Sequence, residues 1–184
     1  MRKNIFTLIF PIVFAMAFGL NAEASDYGVL IGVRSDSATS NAASTSISGN
    51  TDYQAGVIAS IETISSLEVR TGMLYTTRQY GYTPATGVAG QANYTYADIP
   101  LGLLWKLSDY GGPFVGGNFG FNVASSCPGG SCTGVASSIS GYQFGVHFKF
   151  APQFGGELYY EAMGAVMPGI DSPKAVAANL FITF

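Results

Sequence analysis

The sequence predicts an all-β protein, an eight-stranded antiparallel up-and-down transmembrane β-barrel that follows a cleaved N-terminal signal peptide. Three observations predict this fold class: apolar residues alternate with other residues in eight separate segments, only 10% of the 184 residues are charged, and an apolar leader precedes the first segment. Alternation with a period of two is the pattern of a strand with two different faces. Ordinary soluble domains are roughly one quarter charged, so a typical cytosolic enzyme is disfavoured.

Residues 1–24 have the pattern of a signal peptide. Two basic residues at positions 2 and 3 precede an apolar stretch over 5–20, and small residues lead up to Ala24. This order predicts cleavage after Ala24. An uncleaved anchor is the alternative, but the stretch is shorter than the about 20 apolar residues that a spanning helix needs, and no such run occurs later. We therefore expect a signal peptide at 1–24 and one barrel at 25–184.

The first four predicted strands each place apolar residues at alternate positions. Their apolar positions are Tyr27, Val29, Ile31 and Val33; Tyr53, Ala55, Val57, Ala59 and Ile61; Leu67, Val69, Thr71, Met73 and Tyr75; and Ala97, Ile99, Leu101, Leu103 and Trp105. Pro100 removes a backbone donor from the fourth of these strands, so we expect a local bulge there.

The last four predicted strands are rich in aromatic residues. Their apolar positions are Val115, Gly117, Phe119, Phe121 and Val123; Tyr142, Phe144, Val146, Phe148 and Phe150; Phe154, Gly156, Leu158, Tyr160 and Ala162; and Val176, Ala178, Leu180, Ile182 and Phe184. None of these alternate positions in the eight strands is charged.

The opposite face of the predicted strands carries most of the charge. Five basic and five acidic residues share it, and we expect them inside the barrel: Arg34, Glu62, Glu68, Arg70, Arg78, Asp98, Lys106, Lys149, Glu157 and Glu161. Because their signs balance, they predict a plugged interior. A charged side chain in a narrow lumen needs a partner, and Lys149 with Glu157 across a tight turn is the predicted pair.

Two folds could use such strands. A soluble sandwich or ligand-binding barrel turns its apolar face inward, whereas a membrane barrel turns that face to lipid. Glycine recurs on the polar face, where a solvated surface would carry many lysines and carboxylates. Small residues suit a crowded narrow interior. We therefore expect the membrane barrel and keep the soluble fold as an alternative.

The connections between the predicted strands alternate in length. Four are long (36–51, 79–93, 124–138 and 164–173) and three are short turns (63–65, 108–111 and 151–153). In outer-membrane barrels the short turns are periplasmic and the long loops extracellular. We expect a bacterial outer-membrane location with both termini in the periplasm and the long loops outside the cell.

Three segments resemble those of known small outer-membrane β-barrels. They are Leu67–Tyr75 (LEVRTGMLY), Ala97–Leu104 (ADIPLGLL) and Asn179–Phe184 (NLFITF). The chain resembles the OmpA transmembrane-domain and OmpX type, and particularly the PorT-like outer membrane protein β-barrel domain. The resemblance implies that Leu180, Ile182 and Phe184 form the C-terminal signal that the outer-membrane assembly machinery recognises.

Candidate catalytic groups are few. His147 is the only histidine, and outer-membrane lipid-modifying enzymes of similar architecture use histidine, but the predicted register places it inside and near the periplasmic end. Glu157 and Glu161 share a strand face roughly 13 Å apart, too far for a retaining carboxylate pair. We expect no catalytic residue, no metal site and no cofactor.

The long loops are the remaining place for specific binding. Cys127 and Cys132 are the only cysteines, and an exported chain lies in a compartment where a disulfide persists. The bridge would close a short ring, stabilise the fold by about 2 kcal/mol and tighten the tip at 128–130. The loops are rich in Ser, Thr, Gly, Asn and Ala, and the sequence identifies no ligand for them.

The expected function is that of an integral outer-membrane barrel with a structural or surface-interaction role and no enzymatic activity. A small pore or transporter for a modest solute is the first alternative, and a lipid-modifying enzyme is the second. The expected partners are outer-membrane lipids and lipopolysaccharide, the assembly machinery during biogenesis, and an unknown ligand of the extracellular loops. With only eight Lys and Arg residues, nucleic acid is excluded as a partner.

Overall fold

Antiparallel strands make up nearly all of the chain that the structure describes. The computed structural model describes residues 25–40, 45–64, 66–84, 90–127 and 132–184. Within them lie β1 (Ser25–Thr39), β2 (Thr45–Gly49), β3 (Thr51–Ile64), β4 (Leu67–Pro84), β5 (Gly90–Trp105), β6 (Gly111–Ser126), β7 (Ser138–Ala151), β8 (Phe154–Met163) and β9 (Asp171–Thr183). No helix among these residues is long and apolar enough to span a membrane. The signal peptide predicted at 1–24 and the loop tip at 128–130 lie outside the described residues.

The strands form a closed barrel, as the sequence predicts. β1 pairs with β3, each strand from β3 onward pairs with the next one in the chain, and β9 pairs with β1, so the sheet has no open side. The ring has eight positions because β2 and β3 together occupy one of them: both pair with β4. Between Gly49 and Gln54 this double strand advances five residues while β4 advances four, from Thr76 to Tyr80, which is a β-bulge.

The stagger of the ring sets the width of its interior. A path from each residue to its partner on the next strand begins at Asp26 of β1 and returns to β1 at Asp36, a shift of ten residues. Between them the path passes through Ser60, Arg70, Gly102, Gly116, Gln143, Glu161 and Ala175. Such a shift requires the strands to tilt by about 40° from the barrel axis. Eight strands at that tilt leave a lumen that side chains can fill.

The outer face of the barrel is apolar. Phe119, Phe144 and Leu180 point outward and are 48%, 49% and 58% exposed, whereas the side chains of Arg70 and Glu157 lie inside and are 11% and 5% exposed. The soluble alternative, which needs the apolar face at the centre, is therefore wrong. Aromatic side chains gather near both edges of the apolar face: Trp105, Tyr110, Phe150, Phe154 and Phe184 near one, and Tyr53, Tyr75 and Tyr142 toward the other.

The two ends of the barrel differ. At the turn end lie the start of β1, the end of β9 and the short connections at 65–66, 106–110 and 152–153. At the long-loop end, β1, β4, β5 and β6 extend well beyond the predicted boundaries, and β2 forms inside the segment predicted as a loop over 36–51. The predicted long loops were too long because their Ser, Thr and Asn residues continue the alternation of the strands.

The bulge predicted at Pro100 is wrong. Pairing between β4 and β5 lapses between Thr71–Leu101 and Leu74–Asp98, but the register is the same on both sides of the gap. Pro100 still pairs in register with Asn118 of β6. The proline interrupts the ladder without adding a residue to it. The pairing register of β5 with β6 shifts instead between Thr95 and Tyr96.

Gly145 allows two aromatic rings to meet inside the barrel. It pairs with Phe114 on one side and Tyr159 on the other, and the centroids of these two rings are 6.1 Å apart. A Cβ atom at Gly145 would lie 2.2 Å from the Leu158 carbonyl oxygen and 2.5 Å from the Tyr159 Cβ. At Gly117, on the outer face, the nearest atom to such a Cβ would be 3.6 Å away.

Gly145→Ala is expected to lower the free energy of unfolding by about 1–3 kcal/mol, because the added methyl group displaces backbone and packed rings. Gly117→Ala, the matched control on the outer face, is expected to change it by less than about 0.5 kcal/mol. Urea unfolding of both variants in lipid vesicles measures the difference. Equal effects of the two substitutions would contradict the inward orientation of Gly145.

Candidate functional site

Ionic side chains fill the middle of the lumen. We name three groups, from the long-loop end to the turn end. The central ion cluster comprises Arg34, Asp36, Arg78, Asp98 and Glu161; the turn-side ion cluster comprises Arg70, His147 and Glu157; and the mouth comprises Asp26, Glu62, Glu68, Lys106 and Lys149. All ten charges predicted inside therefore lie in one of these groups, together with Asp26, Asp36 and His147.

Glu161 is the centre of the central ion cluster. Its Oε1 lies 2.8 Å from Arg34 Nη2 and 3.2 Å from Arg78 Nη2, and its Oε2 accepts a hydrogen bond of 2.6 Å from Asn118. Each arginine also has a second carboxylate: Asp36 lies 2.9 Å from Arg34, and Asp98 lies 2.7 Å from Arg78. No side chain of this cluster is more than 2% exposed. A buried network of this kind fixes side chains from β1, β4, β5 and β8 against one another.

Glu157 is the centre of the turn-side ion cluster. It is paired with Arg70, its Oε1 lies 3.2 Å from His147 Nδ1, and Asn179 donates to its Oε2 at 3.4 Å. The imidazole ring of His147 stacks on Phe181 with the ring centroids 4.6 Å apart. The cluster thus lies in the lumen between the centre and the turn end.

The predicted pair of Lys149 and Glu157 is wrong. In the β7–β8 register, His147 stands opposite Glu157, and Lys149 stands opposite Gly155, two residues nearer the turn end. Lys149 instead lies 2.7 Å from Asp26 of β1. The register of the strands, which the sequence leaves open, decides the partner.

The mouth is the more exposed group of charges. Lys106 Nζ lies 3.0 Å from Glu68 and 3.6 Å from Glu62, and the side chains of Lys106, Lys149 and Glu62 are 26%, 26% and 33% exposed. The hydrogen bond to Glu68 raises the pKa of Lys106 above its ordinary value. A cavity of about 230 Å³ lies at the mouth, and its lining includes Glu68, Lys106, His147 and Lys149.

A second cavity lies deeper in the lumen. It has a volume of about 30 Å³, and its lining includes Leu74, Phe114, Arg70 and Glu157. His147 lines the mouth cavity and Glu157 lines the deeper one, so their contact lies between the two. The central ion cluster follows beyond the deeper cavity.

An apolar cap lies over the central ion cluster at the long-loop end. Two segments form it: residues 132–137, which we call the strap, and residues 164–170, the loop after β8. We use the name cap for these two segments together with their contacts with the barrel wall. Val166 is fully buried in it. The wall residues around it are Tyr80, Ala92, Tyr94, Tyr96, Ile139 and Met163. The predicted disulfide between Cys127 and Cys132 is confirmed, and it joins the end of β6 to the strap.

Sequence reasoning missed several interior groups. Asp36 was assigned to a loop and Asp52 to neither face of a strand, yet both are buried; Asp52 accepts a 2.7 Å hydrogen bond from the Gln79 amide. Their signal was present, since both continue the interior alternation of Arg34 and Gln54. With them, five buried carboxylates face three arginines in the described lumen, so its centre is more acidic than the balanced set of ten charges implies.

The candidate catalytic residues His147, Glu157 and Glu161 all lie inside the barrel and not on its outer face. His147 lies inside, near the turn end, in contact with Glu157 and Phe181. Glu157 and Glu161 belong to separate ion clusters. Among the described residues, no three histidine, cysteine or acidic side chains are grouped so that they could hold a metal ion.

The three residues of the predicted C-terminal signal lie on the outer face of β9. Leu180, Ile182 and Phe184 are 58%, 43% and 76% exposed, and Leu180 and Ile182 pair with β1 and β8, where the barrel closes. Their recognition by the assembly machinery stays a prediction.

Similar folds occur among outer-membrane proteins. Neisserial surface protein A (NspA) matches with a TM-score of 0.62 and 15% sequence identity, over 88% of this chain and 99% of that one. The outer membrane protein OprG from Pseudomonas aeruginosa matches with a TM-score of 0.51 and 12% identity, over 88% of this chain and 96% of that one. No protein-family model matches the sequence, and no curated protein matches it significantly. The likeness shows a shared fold.

Glu161→Gln is expected to destabilise the barrel by about 3–5 kcal/mol, because it leaves two buried guanidinium groups without a shared carboxylate. Glu68→Gln, the matched control at the mouth, removes a more exposed partner and is expected to cost about 0–1 kcal/mol. Urea unfolding followed by the fluorescence of Trp105, the single tryptophan, measures both. A Glu161→Gln effect no larger than that of the control would refute the central role of Glu161.

Proposed function

We propose, from the fold that this chain shares with small outer-membrane β-barrels, that it is an integral bacterial outer-membrane protein with a structural or surface-interaction role and a lumen closed by ion pairs. One observation carries this proposal: the closed ring exposes its apolar side chains and encloses its charged ones. Exposure of so much apolar surface to water is unfavourable, whereas contact of the same surface with lipid hydrocarbon is favourable. In a closed barrel every strand has two paired neighbours, which a lipid environment requires of the backbone.

The two aromatic edges of the apolar face support insertion across a bilayer. Outer-membrane barrels place aromatic residues at both membrane interfaces, around an apolar band about 25 Å tall. Trp105 and Tyr110 at the turn end, and Tyr53 and Tyr142 toward the long-loop end, suit these positions. Outer-membrane lipids and lipopolysaccharide are the partners proposed for this surface.

For the orientation, we propose a periplasmic turn end and an extracellular long-loop end. The short connections, the start of β1 and the end of β9 lie on one side, which agrees with the usual arrangement. Leu180, Ile182 and Phe184 then form an outward-facing segment that the assembly machinery reads during insertion. An extracellular ligand of the long loops remains part of the surface-interaction role.

The filled lumen favours a structural role over transport. The central ion cluster, in which no side chain is more than 2% exposed, links β1, β4, β5 and β8 across the lumen. The apolar cap lies above it. The mouth cavity of about 230 Å³ is the observation that favours a small pore as the second candidate, because it admits solutes from the turn end. We propose no catalytic role for His147, whose contacts lie inside the barrel.

In bacteria, the full-length chain is expected in the outer-membrane fraction, with a folded form that migrates differently from the boiled form on a gel. Reconstituted in vesicles, Trp105 is expected to be quenched by brominated lipid, because its side chain is 59% exposed on the outer face. A tag inserted at position 87 should be labelled on intact cells. Recovery in the soluble periplasm without detergent would refute membrane insertion.

In planar bilayers the protein is expected to show no single-channel steps, because the central ion cluster blocks the lumen. Arg70→Ala and Glu157→Ala open only the turn-side ion cluster, so they too are expected to stay silent. Steps in the unaltered protein that Arg70→Ala or Glu157→Ala changes in size would instead establish the small pore. Gly117→Ala, on the outer face, is the control for altered insertion.

A further inference from the structure

The cap rests on contacts between two segments that lie outside the barrel ladder. Pairing of β6 with β7 ends at Phe121 and Ser138, so the strap continues past the last ladder pair. Its Ala136 amide donates to the Val166 carbonyl oxygen at 2.8 Å, which joins the strap to the loop after β8. Gly134 lies beside Pro168, where an added Cβ atom would be 3.1 Å from the Pro168 Cδ.

The strap also contacts the barrel wall. The Tyr96 hydroxyl donates to the Ala136 carbonyl oxygen at 3.3 Å, and the side chains of Val135 and Ala136 pack against the buried cap cluster. Tyr94 contacts both the loop after β8 and the disulfide: its hydroxyl oxygen lies 2.6 Å from the Met167 sulfur and 3.9 Å from the Cys127 sulfur. Displacement of the strap would therefore uncover the tyrosines and loosen the seat of Val166.

The disulfide is a side-chain cross-link between the strap and the end of β6. Cys127 follows the last residue of β6 and packs against the cap cluster, and Cys132 is the first residue of the strap. Their Cα atoms are 5.3 Å apart. Both cysteines are partly exposed at the long-loop end, so a small thiol in solution can approach the bridge.

We propose that the Cys127–Cys132 disulfide is a redox-sensitive latch that holds the apolar cap on the lumen. A small-molecule thiolate attacks one cysteine sulfur and forms a mixed disulfide, while the other cysteine leaves as a thiolate. A second thiol then resolves the mixed disulfide. Two external thiols are thereby oxidised to one disulfide, and the protein disulfide is reduced to two thiols.

Reduction is expected to release the cap and leave the barrel folded. Without the bridge, only the hydrogen bonds to Tyr96 and Val166 and the apolar packing oppose opening of the strap, whereas the strand ladders, the ring closure and both ion clusters contain no part of the disulfide. Local opening of this kind changes the exchange of amide hydrogens in the opened segment alone. The latch thus controls access to the tyrosine cluster from the long-loop end.

Hydrogen–deuterium exchange of the full folded barrel in vesicles tests the latch, with and without dithiothreitol. After reduction, peptides that cover 133–140 and 164–170 are expected to exchange about tenfold faster, whereas peptides of β9 stay unchanged. The gain of two N-ethylmaleimide groups verifies reduction. The double variant Cys127→Ser with Cys132→Ser is expected to exchange quickly with and without thiol, which separates loss of the bridge from other effects of the reductant.

Three results would overturn the latch. Slow exchange of the cap peptides after complete reduction would show that packing alone holds the cap. Peptides of β9 and β1 could accelerate as much as the cap, which would make the disulfide a support of the whole barrel. A bridge that resists the thiol in the folded protein would not be a switch. Retention of the folded band on an unheated gel distinguishes each of these from failure of the barrel itself.

Discussion

Hydrogen bonding between β1 and β9 closes the sheet, and the rest of the structure depends on that closure. With eight positions in the ring and a stagger of ten residues, the strands tilt and enclose a lumen about as wide as two layers of side chains. An open sheet of the same strands would leave two unpaired edges and give the charged face no enclosed space. Closure thus determines where the apolar and charged faces lie, and it brings distant charges within contact distance.

The polarity of the molecule is the reverse of a water-soluble domain. Its interior is held by ion pairs and polar side chains around Glu161 and Glu157, and its outer surface is apolar. Removal of a buried carboxylate partner is costly because the remaining guanidinium group has no water to replace it. The interactions that stabilise the barrel therefore also occupy its lumen, which links the stability of the barrel to the proposed structural role.

The long-loop end adds a different kind of closure. Val166 enters a cluster of tyrosines, and the strap that covers it begins at a disulfide. Aromatic side chains with a hydroxyl group suit this place, because their rings pack against Val166 and Ile170 while their hydroxyl groups reach the strap and Met167. Apolar packing and a covalent bridge thus hold the cap, whereas ionic contacts hold the layers beneath it.

Alternation in the sequence determined the eight strands, the outward position of Phe119, Phe144 and Leu180, and the enclosure of Arg70 and Glu157, because a period of two assigns each residue to a face whatever its neighbours are. The spacing of Cys127 and Cys132 likewise indicated their bridge. Only the tertiary structure decided that Glu157 meets Arg70 and His147 and that Lys149 meets Asp26. It also decided that Asp36 and Asp52 lie inside and that β2 extends the wall. Partners across strands depend on register and on ring closure, and both are set by pairings between residues far apart in the chain.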